Sequence, residues 1–452
     1  MLVINKIIFN IEYAINKILN IKINIYSLFY FIILLLPLIQ TELRIRLGAG
    51  WQLYIPLIFL LYFLVLLKKK DFYNYFIIIN ISIIFTIISN FYGLYVYGNL
   101  TLSSALLEQI KSLEARMSVE TVRFLVSLLF FFLTIYLVKN IQILQKSLKY
   151  FLYASWFQIV YGFYEIISKV FIHFLPLLNS KANSHGTYRV FGTFFEPSQY
   201  GQFVLISILV LILYKSLFNL LIFQNPLNDF FVRNYKKILT FMILALLLSF
   251  SRAAMLSGLI VIGIYLILSI TNIKKVLQIF GFLFFIGLLF FIVIKISLTS
   301  QELDAWIYLL TSDTGNGAVA RINLVFYNLY LSWVFLLENY LGIGQGSIVI
   351  QFGMVPMFPR LLIENGIFIG LVYILFLMKL VLNARNIVIK KIRINFYILI
   401  AGLTIIQMNY SSDNDPWIWF LLAIIFKSKY IINDYIKENN EKTNIHTKPI
   451  FK

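Results

Sequence analysis

Apolar runs of about twenty residues recur along the whole 452-residue chain, and they constrain the fold more than any motif does. In lipid, a backbone N–H or C=O without a partner costs several kcal/mol, so a run of that length crosses only as a helix or as part of a closed barrel. Continuous apolar runs, rather than the alternating pattern of barrel strands, select the helix. Twelve runs stand near 25–40, 51–67, 72–92, 121–138, 150–175, 199–222, 238–251, 254–271, 276–294, 360–378, 396–410 and 417–426. The mean hydropathy of +0.87 and a charged fraction of 13% exclude a soluble fold. The expectation is therefore an all-α, polytopic integral membrane protein of about twelve transmembrane helices. It forms a single membrane domain over 1–452, with a long outer loop that carries short helices.

Basic residues in short loops remain on the cytoplasmic side, and this rule orients the helices. It places both termini in the cytoplasm and most of the 38 Lys and Arg there as well. The net charge of +19 is thus a signal of topology. Nucleic-acid binding is not implied, because no soluble face exists to gather the charge. Residues 1–24 intersperse Ile, Leu and Phe with Lys6, Lys17 and Lys22, as an interfacial amphipathic helix would, and they lack the pattern of a cleaved secretory signal. Outer loops are expected at 93–120 and 295–359, the second carrying its own apolar helical stretch, and a cytoplasmic tail at 427–452. The end of that tail, "KENNEKTNIHTKPIFK", reads as disordered.

The segment "LALLLSFSRAAMLSGLIV" has to be broken. A continuous helix through it would run about 50 Å, against a hydrocarbon core of roughly 30 Å. A tight hairpin at "SFSRAAM" solves this and keeps Asn272 to Lys275 inside.

The chain has no Cys, which excludes disulfides, thiolate nucleophiles and Cys-ligated metals. Its only histidines are His173, His185 and His446, so a multi-histidine metal site is not expected, and no cofactor is expected. The ionisable residues near the membrane are more informative, since each needs a partner or a purpose. Arg189 and Glu196 flank "VFGTFF", and Pro197 marks a helix start whose amides and dipole could receive a phosphate. Gly192 and Gly201 would permit close approach of backbone or ligand. Arg189 could equally snorkel to lipid phosphates, and Glu196 could equally cap the helix. Arg252 stands alone between two apolar helices. Arg321 opens the helix of the outer loop, and Arg360 lies four residues from Glu364, the spacing of a helix-face ion pair. "GIGQGS" does not follow a strand, so it reads as a turn and not as a phosphate loop. "SSDNDPW" reads as a short loop that starts a helix.

Four of these segments, "RVFGTFFEPSQYGQF", "SFSRAAMLSGL", Arg321 ahead of "NYLGIGQGS", and "RLLIENGIFIG", occur in an order that resembles bacterial O-antigen polymerases of the Wzy type and the related O-antigen ligases. The resemblance spans roughly residues 150–380. It implies an enzyme of the inner membrane, active on its outer face, that joins undecaprenyl-diphosphate-linked oligosaccharides into a surface polysaccharide such as O-antigen or capsule. Its implied partners are the lipid-linked oligosaccharide, membrane lipid, a chain-length regulator and a flippase. Arg189, Arg252, Arg321 and Arg360 would then bind the diphosphate, Arg252 would also act in catalysis, and Glu196 would be the base. The ligases carry a His ahead of the helix of "RLLIENG", whereas this chain has "MVPMF" there, which favours polymerase over ligase. A flippase for the same lipid-linked sugars is the alternative from another class.

Overall fold

The computed structural model describes residues 24–38, 54–68, 104–170, 190–194, 197–219, 229–269, 357–409 and 415–444, with isolated positions at 84–92 and 341. Its helices are α1 (Ile25–Leu35), α2 (Tyr54–Lys68), α3 (Ser104–Leu137), α4 (Ile141–Val170), α5 (Pro197–Phe218), α6 (Phe230–Arg233), α7 (Tyr235–Leu248), α8 (Arg252–Ser269), α9 (Met357–Arg385), α10 (Lys390–Asn409) and α11 (Pro416–Asn444). No strand occurs among the described residues. Four segments are long and apolar enough to cross a membrane: Val119–Leu137, Pro197–Phe218, Arg360–Arg385 and Lys390–Met408. Apolar but shorter are Ile25–Leu35, Tyr54–Leu67 and Ala253–Tyr265. This is a helical membrane protein.

Helix α5 is the axis of the bundle. Only Ser198, Ile212 and Lys215 in it are less than fully buried, the all-round apolar character of a helix enclosed by others. Around it pack α4, α7, α8 and α10. A second group joins α3 to α11 and α2, and α9 to α10 and α11. Phe151 links the two groups, since its ring lies 5.5 Å from Phe203 of α5 and 5.9 Å from Phe420 of α11. Ring contacts at such distances add about 0.5–1.5 kcal/mol each beyond the area they bury.

The outside of the bundle is apolar too. On α9, Phe368, Leu371, Val372, Leu375, Met378 and Leu382 are exposed at three- and four-residue intervals, with Val372 65% and Leu375 62% accessible. Such a stripe is unfavourable in water and is what lipid tails require.

Helix ends follow local chemistry. Asn24 Oδ1 accepts from Tyr26 N at 3.0 Å, Asn140 Oδ1 from Ile143 N at 2.9 Å, and Ser251 Oγ from Ala254 N at 3.2 Å, each satisfying an amide the helix leaves open. Pro197 and Pro416 each occupy a first helical position, where a missing N–H costs nothing.

Two boundaries differ from the sequence expectation. Residues 104–120 of the expected outer loop are helical and run directly into the apolar run of α3. Glu108, Lys111, Glu114 and Arg116 are good helix formers, so nothing there stops a helix although hydropathy falls. The tail expected to be disordered is helical through Asn444, because its Glu and Lys residues are polar without being helix breakers. Residues 1–23 and 295–340 lie outside the described residues, as does 342–356, so the interfacial helix and the large loop are not described.

Candidate functional site

Two of the sequence motifs meet where α5 begins. Phe191 to Phe194 form a tight turn, closed by Phe194 N donating to Phe191 O at 3.1 Å. Gly192 has φ +58, and a Cβ placed there would lie 2.6 Å from the Tyr200 ring, so both backbone and space demand glycine. The turn presents its amides inward. Glu165, fully buried on α4, accepts from Gly192 N at 2.8 Å and from Phe191 N at 3.1 Å. Thr193 is held as well: its hydroxyl donates to Pro37 O at 2.6 Å, and its N–H donates to Gln158 Oε1 at 3.3 Å. Gln158 Nε2 in turn donates to Thr193 Oγ1 at 2.8 Å. One carboxylate and one carboxamide of α4 therefore fix the loop that leads into α5.

The second motif lies against the first. Val190 N donates to Leu248 O at 3.4 Å. A Cβ on Gly201 would lie 2.7 Å from Ser249 Oγ and 2.8 Å from Ala254 Cβ, so α5 meets the break between α7 and α8 at nearly backbone distance. That break falls at Ser249–Ser251, inside "SFSRAAM", where the length argument puts it. Phe250 adopts φ 45, a left-handed conformation that costs a bulky residue about 1–3 kcal/mol and that clusters at functional sites. The strain is met by Phe250 N donating to Leu247 O at 3.0 Å and Ser251 N to Ser249 Oγ at 3.2 Å. Arg252 is the first residue of α8, immediately after this turn.

A charged cluster marks the same end of the bundle. Arg360 Nε donates to Glu364 Oε2 at 2.9 Å, and its Nη2 lies 3.7 Å from Glu120 Oε2. Arg123 Nη1 bonds the other oxygen of Glu120 at 3.1 Å. Two guanidinium groups thus face two carboxylates, and the Tyr54 hydroxyl lies within Coulombic reach of Glu120, Arg123 and Asp415. Ser89 Oγ donates to Glu364 O. Trp417, two residues beyond Asp415, packs its ring 5.3 Å from Phe203, which brings α11 and the first turns of α5 together. Gln202 Oε1 and Trp417 Nε1 are buried without a hydrogen-bond partner among the described residues.

Of the sequence candidates, Arg360 is buried in the ion-pair cluster and Arg252 is placed at the start of α8 with its side chain outside the described residues. Arg189, Glu196 and Arg321 also lie outside the described residues. Sequence reasoning missed Glu165, Gln158, Glu120 and Arg123. Glu165 carried the clearest signal, as a lone acid in an apolar helix that needed a partner. Among the described residues no cluster of His, Asp and Glu could hold a metal ion.

No protein-family model, curated protein or solved structure matches this chain.

Proposed function

We propose that the protein is a polymerase that joins undecaprenyl-diphosphate-linked oligosaccharide units on the outer face of the bacterial inner membrane. The observation that carries the proposal is the meeting of "RVFGTFFEPSQYG" with "SFSRAAM": segments some fifty residues apart in sequence touch at Gly201, Ser249 and Ala254. Those are two of the four segments on which the family resemblance rests. A strained turn and two buried polar atoms without a hydrogen-bond partner among the described residues, near the same helix start, support a site rather than plain packing.

In the proposed reaction the hydroxyl at the nonreducing end of a new repeat unit attacks the anomeric carbon of the growing chain. The anomeric C–O bond to diphosphate breaks, the lipid diphosphate leaves, and the hydroxyl proton passes to a base, for which Glu196 is the candidate. Negative charge grows on the leaving group, and guanidinium groups in a low-dielectric site stabilise it by bidentate contacts. Arg189, Arg252 and Arg321 fill that role. Arg360, already faced by Glu364 and Glu120, anchors α9 to α3 and would meet diphosphate only by giving up a carboxylate. The proposal carries with it about twelve spans and cytoplasmic termini, and cooperation with a flippase and a chain-length regulator.

The test replaces Arg189, Arg252 and Arg321 singly by Ala in the native host, with surface polysaccharide resolved by size. Loss of long chains with single capped units retained is the expected result. Unchanged chain length in all three variants overturns the site, and loss of every surface unit points to ligation or flipping instead.

A further inference from the structure

Lys215 stands about five turns along α5 from Pro197, roughly 27 Å away, so it lies at the opposite end of the bundle from the motifs. There α5, α7, α8 and α10 enclose a cleft of about 260 Å³ lined by Lys215, Ser216, Tyr235, Tyr265, Lys391 and Asn395, among others. Among the described residues, every polar lining group can donate a hydrogen bond and no carboxylate lines the cleft. Lys236 and Lys391 both lie within Coulombic reach of Lys215. Among the described residues none of the three pairs with an acid. Three uncompensated ammonium groups repel one another, and the fold nonetheless holds one of them in place. Lys215 Nζ sits 3.7 Å above the Tyr235 ring, and beside it Asn395 Nδ2 donates to Ser216 Oγ at 2.7 Å, with Ser216 Oγ donating onward to Ile212 O at 3.0 Å.

The neighbouring cleft provides the contrast. It is larger, about 580 Å³, and also contains lysines, but Lys149 there lies 2.8 Å from Asp229, which also accepts from Tyr214 at 2.8 Å. There an acid neutralises one of the two lining lysines, Lys149, whereas in the Lys215 cleft neither lining lysine faces an acid among the described residues.

We propose that the Lys215 cleft is a phosphate-binding site, with Lys215 and Lys391 as ion-pairing groups and Tyr235, Tyr265 and Asn395 as neutral donors. Basic pockets between spanning helices suit phosphate headgroups, and the volume admits a headgroup without its acyl chains. The site is independent of the glycan chemistry proposed at the other end.

The full chain, purified in a neutral detergent, is tested with two probes. Native mass spectrometry scores retention of phosphatidylglycerol, and thermal melting scores stabilisation by inorganic phosphate. For the wild type against Lys215→Gln/Lys391→Gln, the expected result is retention weakened on the order of tenfold or more in the variant. Lys437→Gln, which alters a surface lysine 78% exposed, should retain as the wild type does. Phosphatidylglycerol retention without a melting shift identifies a lipid headgroup as the ligand. A wild-type-specific melting shift with inorganic phosphate identifies the free ion. Equal retention by wild type and double variant, with equal phosphate shifts, overturns the site. If the double variant melts lower without any anion, the single Lys391→Gln, at an exposed position, carries the comparison.

Discussion

The Glu165 carboxylate takes the N–H of Gly192 at 2.8 Å, so an acid buried in α4 fills the anion-accepting nest of the turn that leads into α5. The amides of Phe191 and Gly192 are therefore occupied by the protein's own carboxylate and are not open to a phosphate at this helix start.

Removing that carboxylate strands two buried N–H groups. Glu165→Ala should destabilise the purified protein by about 2–4 kcal/mol, whereas Glu165→Gln, which keeps one acceptor oxygen, should cost about half as much. Thermal melting in detergent distinguishes the two, and equal losses would mean that the acceptor is not what stabilises the turn.

Gly192→Ala combines a positive φ with a 2.6 Å approach to Tyr200. The left-handed backbone costs roughly 1–2 kcal/mol and overpacking roughly 1–3 more. Gly192→Ala with Tyr200→Leu should recover the second part only. Melting temperatures of the single and double variants check the split.

The Arg360–Glu364 pair is buried, and breaking it should cost more than removing it. Arg360→Met alone should cost about 3–5 kcal/mol because the buried Glu364 loses the Arg360 guanidinium, while Arg360→Met/Glu364→Met should cost less than the single variant. Unfolding in denaturant measures the coupling, and simple additivity would refute it.

Asp229 supplies the pH dependence. Burial works to raise its pKa, but the hydrogen bonds from Lys149 and Tyr214, the Val232 amide and the Lys149 charge outweigh that and hold it below the usual carboxylate range. A depressed folded-state pKa stabilises the fold fully above the unfolded value and is lost as pH falls through the folded value. Stability should therefore decline from the ordinary carboxylate range downward. Asp229→Asn should show a flatter acid limb in melting temperature against pH.

The sequence reveals contacts that local chemistry decides. Four of the twelve apolar runs coincide with helices long and apolar enough to span, Pro197 located the start of α5, and bilayer thickness located the break at Ser249–Ser251. Where polarity and helix propensity part company, as at 104–120 and 437–444, hydropathy stops too early. The site contacts are harder to read, since Glu165 meets Gly192 across 27 positions, Gln158 meets Pro37 across 121, and Arg360 meets Glu120 only when α9 and α3 stand in one bundle. No local pattern specifies which buried acid faces which turn.

Gly366, at φ 79 inside α9, separates two parts of that helix with different surroundings. Arg360, Leu361, Ile363, Glu364 and Asn365 before it are buried, whereas Phe368, Leu371, Val372 and Leu375 after it face outward. The helix is thus divided at one residue into a buried, charged head and an outward-facing shaft. Changes in bilayer thickness would tilt the shaft, while the charged head stays registered on α3, so lipid composition should alter the position of α9 without scattering the Arg360 ion pairs.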